Sequence, residues 1–203
     1  MKSGRRNFMK KASIGAAGLT LGMYFQPSSG GAAERGTGKV SRVSLVTGND
    51  RRDLIVQALK PFEREIREGI RGKRVVIKPN CVWDGNPLCA THPDAIRGAL
   101  DFLRPMYKGQ VVIAESTASP KGTRFCFDEY KYLPIEREFN AKLVDLNEDS
   151  WSIMWIQNNK LLPNGIKIIN TFLDPKNYII SLARMKTHDC VVGTLAFKNI
   201  LMA

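Results

Sequence analysis

Cysteine and histidine are both scarce in this chain of 203 residues, which has four cysteines and two histidines. Cys81, Cys89, Cys126 and Cys190 form no C-x-x-C pair, so neither a zinc ribbon nor a ferredoxin-type cluster has local support. In an oxidising compartment the four thiols allow three disulfide pairings, and buried free thiols fit the same sequence equally well. No internal repeat and no low-complexity tract occurs. Uncharged apolar runs are short. The longest mildly apolar stretch, Ala12 to Phe25, is too short to span a ~30 Å hydrocarbon core comfortably as a helix. No stable membrane span is expected.

Basic charge is abundant, at a formal +12. Lys2, Arg5, Arg6, Lys10 and Lys11 crowd the N-terminus with no acid beside them, and removing these five leaves about +7. The remaining basic residues are scattered among acids, as in Glu63-Arg64-Glu65 and Glu136-Arg137-Glu138. They form no basic stripe interleaved with aromatics, so no nucleic-acid partner is expected.

The N-terminal charges head an ordered series of basic, apolar and small-residue segments. Gly4-Arg5-Arg6-Asn7-Phe8-Met9-Lys10 resembles the twin-arginine export motif, Ala12 to Phe25 follows, and Gly31 and Ala33 suit a signal peptidase. Residues 1–33 are therefore expected to be a twin-arginine signal peptide. The resemblance implies the twin-arginine translocase as a partner during export and a periplasmic or other extracytoplasmic destination. It also implies passage in the folded state, often with a cofactor inserted. A retained anchor or basic amphipathic terminus is the competing reading. Gly15, Gly18 and Gly22 weaken it, since each costs a helix about 1 kcal/mol relative to Ala.

Residues 34–39 read as a linker, and residues 40–203 as one domain. Alternating Val43 and Leu45 predict a strand over 40–46. Asp50 caps a helix expected to run to about Glu68, with Leu54, Ile55, Leu59, Phe62 and Ile66 on one face. Arg74 to Lys78 reads as a strand buried on both sides. Thr91 opens the next helix as the first residue of a capping box with Asp94, and Pro105 ends it. Strands follow at 111–114, 143–146 and 178–182, with a helix near 125–132 and another starting near Val192. Pro163-Asn164-Gly165 predicts a tight hairpin turn between Ile153–Ile156 and Ile166–Ile169. The expected architecture is α/β: a mostly parallel sheet flanked by helices, with a β-hairpin insertion. The last residues stop in mid-pattern, without a helix-ending signal, so the domain is expected to be truncated at its C-terminus.

Ligands of open α/β sheets gather at the carboxyl ends of the strands. Those ends carry Lys78-Pro79-Asn80, Glu115-Ser116-Thr117 and Arg184-Met185-Lys186-Thr187-His188-Asp189. One reading is an anion site, with Lys78 and Lys186 as point charges assisted by the helix after Thr91. Another is a metal site formed by His92, His188, Glu115 and Asp189. The bland alternatives are a helix-start role for His92, turn and cap roles for Asn80 and Thr91, and solvated lysines at strand ends.

Four stretches stand in order: Val75-Val76-Ile77-Lys78-Pro79-Asn80, Thr91-His92-Pro93, Lys186-Thr187-His188 and Thr194-Leu195-Ala196-Phe197-Lys198-Asn199. Together they resemble the family called domain of unknown function 362, with the likeness running from about Val40 to the chain end. The resemblance implies that Lys78, Asn80, His92, Lys186, His188, Lys198 and Asn199 are the residues to test. Some relatives carry an iron–sulfur cluster, whose cysteine motif this chain lacks. The leading expectation is an exported enzyme that binds an anionic small molecule, with or without a metal. In it Lys78, Asn80, Lys198 and Asn199 hold the ligand, Lys186 and His188 do acid–base work, and His92, His188 and Glu115 ligate the metal. The alternatives are a non-catalytic accessory, an iron–sulfur-related electron-transfer partner, or an inactive truncated fragment.

Overall fold

A computed structural model describes residues 41–187 and 193–201. The chain divides into two units, residues 1–42 and 43–203, and the second holds every described helix and strand.

Helix α1 (Arg51–Leu59) starts where the sequence predicts. The Asp50 carboxylate accepts from the backbone N–H groups of Arg52 and Asp53, meeting two donors that a helix leaves unsatisfied at its start. The expected single helix to Glu68 is instead two. Pro61 brings no N–H and falls in a 3-10 turn over Lys60–Phe62, after which α2 (Glu63–Gly69) resumes. Strand β1 (Arg74–Pro79) leads to α3 (Pro93–Leu103), then β2 (Val111–Glu115), α4 (Thr123–Glu129), α5 (Ile135–Glu138) and β3 (Ala141–Asp145). The hairpin β4 (Trp151–Gln157) and β5 (Pro163–Ile169) comes next, then α6 (Asn170–Leu173) and β6 (Asn177–Leu182). Two short strands, β7 (Lys186–Thr187) and β8 (Gly193–Thr194), precede α7 (Ala196–Leu201).

The main sheet is parallel throughout, in the order β3-β2-β1-β6. The chain builds outward from β1 through β2 to β3, then returns to the other side of β1 with β6. The parallel α/β architecture and its hairpin insertion are thus as expected. β1 is buried at five of its six positions because it has a strand on each side and packing on both faces. Val75 and Ile77 enter the larger core with Ile96, Leu100 and Leu103 of α3 and Ile113 of β2. Val76 faces the opposite side with Ala114 and Leu146, where Ile169 and Phe172 lie against them. Helix α1 approaches α3 at Gly98, where an added Cβ would stand 2.3 Å from the Arg52 carbonyl oxygen. Glycine is what permits that contact.

Three local expectations are corrected. No strand forms over the described part of 40–46, and Val43 and Leu45 stand 88% and 89% exposed. Alternation marks two faces, but a strand also needs a hydrogen-bonding neighbour, and no described strand pairs with this segment. The hairpin turns at Asn158–Leu162, which leaves Gly165 in mid-strand opposite Trp155. Asn158 closes the loop: its side-chain oxygen accepts from the N–H groups of Lys160 and Leu162, and Leu161 takes φ +58°. Finally, the cap of α3 is His92, whose Nδ1 accepts from the Asp94 N–H at 3.2 Å, and not Thr91.

Candidate functional site

Lys78 ends a strand that is buried on both faces, so its side chain has little solvent to reach. It stays buried, 2% exposed, and its Nζ donates to Glu115 at the end of β2. Glu115 is equally buried and is held from three directions. Besides Lys78, it accepts from the backbone N–H of Ser116 through Oε1 and from that of Cys81 through Oε2, each at 2.9 Å. Burial pushes the Glu115 carboxyl above its ordinary range, while Lys78 and the two N–H groups pull the other way. The pair is a buried ion pair in which both charged groups make further hydrogen bonds, the arrangement in which such a pair can persist. The expectation of solvated strand-end lysines fails here, and Lys78 is not a free point charge.

Asn199 of α7 lies across the ends of β1 and β6. Its Nδ2 donates to the carbonyl oxygens of Lys78 and Pro79 at 3.1 and 3.2 Å and to the Ser181 hydroxyl at 3.2 Å. Its Oδ1 accepts from Asn80 Nδ2 at 3.0 Å and from Lys78 Nζ at 3.4 Å. Ser181 donates in turn to the Ala196 carbonyl at 2.9 Å, fixing the start of α7 to β6. Thr91, displaced from the helix cap, does similar work between strands. Its hydroxyl accepts from the Asn80 N–H at 2.9 Å and donates to the Leu182 carbonyl at 2.7 Å.

These groups border a cavity of about 350 Å³, lined by Lys78, Asn80, Glu115, Asn147, Lys198 and Asn199 together with Val82 and Ser116–Ala118. Two loops form one wall and are laced together. Ala118 N–H and the Thr117 hydroxyl both donate to the Val82 carbonyl at 3.0 Å. Asp84 accepts from Lys121 and from the Ser119 hydroxyl, each at 2.7 Å, and those contacts hold its carboxyl below its usual range.

Of the residues singled out from the sequence, Lys78, Asn80, Glu115, Lys198 and Asn199 meet at this cavity. His92 does not line it. Its side chain borders a neighbouring cavity of about 320 Å³ with Arg51, Leu54 and Arg184. Lys186 sits half-buried in β7, paired in register with Thr194 of β8, and lines neither cavity. His188, Asp189 and Cys190 lie outside the described residues. For the expected metal, Glu115 is committed to Lys78 and two backbone donors, and His92 faces another cavity. Among the described residues no group of three or more His, Cys, Asp and Glu could hold a metal ion. The described thiols of Cys81, Cys89 and Cys126 are unpaired.

Sequence reasoning missed Ser181 and Asn147. Asn147 donates to the Thr117 carbonyl at 3.2 Å and the Thr123 hydroxyl at 3.1 Å, which steadies the cavity wall. It stands just past the end of β3, so the strand-end rule could have found it. Ser181 carries no such signal, because a serine inside an apolar strand reads as packing.

Neither the curated proteins nor the solved structures compared with the chain gave a match. A family model does match, over residues 75–203, which is more than half of the chain and includes every residue lining the cavity. The chain belongs to the family described as domain of unknown function (DUF362).

Proposed function

We propose that this protein binds an anionic small molecule in the cavity above the ends of β1 and β2, and that it does so after export. One observation carries the binding reading. Lys78 and Glu115 neutralise each other, so Lys198 is the cation left over among the lining residues. Lys198 has no ion-pair partner among the described residues, and a cavity with one uncompensated positive charge favours an anion. Its position at the carboxyl ends of parallel strands is where such folds hold ligands.

Lys186 and His188 are the acid–base groups of this reading. Lys186 stands in β7, which pairs with β8, and β8 leads straight into the helix carrying Lys198 and Asn199. Calorimetric titration of the full chain with inorganic phosphate and small carboxylates tests the binding step. Lys198→Ala is expected to weaken binding about tenfold, the scale of one charge-assisted hydrogen bond. Unchanged binding in that variant, or none in the parent, would end the reading.

The address rests on Arg5-Arg6 ahead of an uncharged apolar run and a small-residue exit. Residues 1–39 fused to a reporter should direct export through the twin-arginine translocase, and Arg5→Lys/Arg6→Lys should block it. Export that survives the double substitution would refute that route. Among the described residues no helix is long and apolar enough to cross a membrane.

A further inference from the structure

We infer that the ligand of this cavity presents a neutral hydrogen-bond donor, a hydroxyl placed beside its anionic group, and that Asn80 Oδ1 receives it. The inference rests on the binding reading above and names the class of ligand: small hydroxy acids or phosphorylated polyols.

The orientation of two amides is dictated by their surroundings. Asn199 must turn its nitrogen toward the Lys78 and Pro79 carbonyl oxygens, which can only accept. Its oxygen then faces Asn80, so Asn80 must turn its own nitrogen toward Asn199. A flip of either amide would set oxygen against oxygen. The rest of Asn80 is also satisfied: its N–H donates to the Thr91 hydroxyl, and its carbonyl accepts from the Thr91 N–H at 2.7 Å. Asn80 Oδ1 alone is left. Among the described residues it is buried without a hydrogen-bond partner, on a residue 4% exposed that lines the cavity.

A buried acceptor left unmatched is costly, so native structures supply a donor from protein, water or ligand. The cavity restricts which donor fits. Lys78 and Lys198 against Glu115 leave a formal excess of positive charge on its lining, which disfavours an ammonium group or a metal ion at Oδ1. A neutral hydroxyl meets the oxygen without that penalty, while the anionic group of the same molecule meets Lys198. A site built around such an acceptor discriminates against the analogue lacking the hydroxyl.

The test is calorimetry on the full chain with matched pairs: glycolate against acetate, and glycerol phosphate against propyl phosphate. In the parent protein the hydroxylated member of each pair should bind about tenfold more tightly, the factor associated with one buried hydrogen bond. In Asn80→Ala that ratio should fall to near one, and the ratio rather than the absolute affinity for acetate or propyl phosphate is the readout. Equal binding of both members by the parent would mean that water serves Oδ1, and the inference fails while the anion site stands. If neither member of any pair binds, the anion site and this inference fall together. The parent ratio decides the matter even if Asn80→Ala does not fold.

Discussion

Strands β1 and β4 are alike in composition and opposite in fate. Both are short and largely apolar, yet β1 is buried at five of six positions while β4 is exposed at all seven. β1 lies between β2 and β6, whereas among the described strands β4 pairs only with β5. In the hairpin both faces are apolar, with Trp151, Ile153 and Trp155 on one and Met154 and Ile156 on the other, and all five are 44–72% exposed. Apolar sequence supplies the material for a core. The number of neighbours sets whether the material is used.

Substitutions in the two regions should therefore differ in scale, and the widest gap is expected at the buried charge. Lys78→Met strands the Glu115 carboxylate and should cost about 3–5 kcal/mol of unfolding free energy in urea. The double variant Lys78→Met/Glu115→Leu should recover much of that, because no unpaired charge remains. Equal loss in the single and double variants would show that packing, not the ion pair, sets the effect.

Next comes the pure packing contrast. Ile77→Ala should cost about 2–5 kcal/mol, since a fully buried side chain leaves a cavity. Ile153→Ala, on the hairpin, should stay within about 0.5 kcal/mol. A large loss at Ile153 would reveal that the hairpin is covered in solution. Trp155→Ser, at the most exposed large residue of β4, should leave the urea midpoint alone and raise the concentration at which light scattering begins.

A smaller effect is expected from pH. Burial holds the Glu115 proton more tightly in the folded chain than in the unfolded one. The contribution of this group is then fullest below the ordinary carboxylate range and declines as pH rises through the folded value. Glu115→Gln should flatten that fall in stability between acid and neutral pH. An unchanged slope would assign it to other groups. The hairpin, which holds no acid or histidine between Trp151 and Ile169, should add nothing to it.

The smallest effect belongs to the loop at Asn158. Its side chain meets two N–H groups at an exposed turn, and Asn158→Ala should cost about 1 kcal/mol or less, seen as faster amide exchange at Lys160 and Leu162.

Much of the fold is legible in the chain itself. The run Val75-Val76-Ile77 announces a doubly covered strand, Asp50 a helix start, and Pro93 a first helical turn. Lys78, Asn80, Lys198 and Asn199 are marked by the ordered family-like motifs, and they do meet. His92 is marked by the same motifs and caps a helix beside another cavity. Two asparagines compete for the hairpin turn. Asn164-Gly165 carries the stronger local signal, but the cross-strand register favours Asn158, which pairs Trp151 with Ile169 and Gln157 with Pro163.

Local order, strand direction and the residue types at strand ends are written in the chain, because they depend on side chains a few positions apart. Partnership is not. That Lys78 is held by Glu115, that Asn199 takes the Asn80 amide nitrogen, and that β4 pairs with no described strand but β5 all depend on contacts across up to about 120 positions. Such contacts exist only once the sheet has brought the distant segments together.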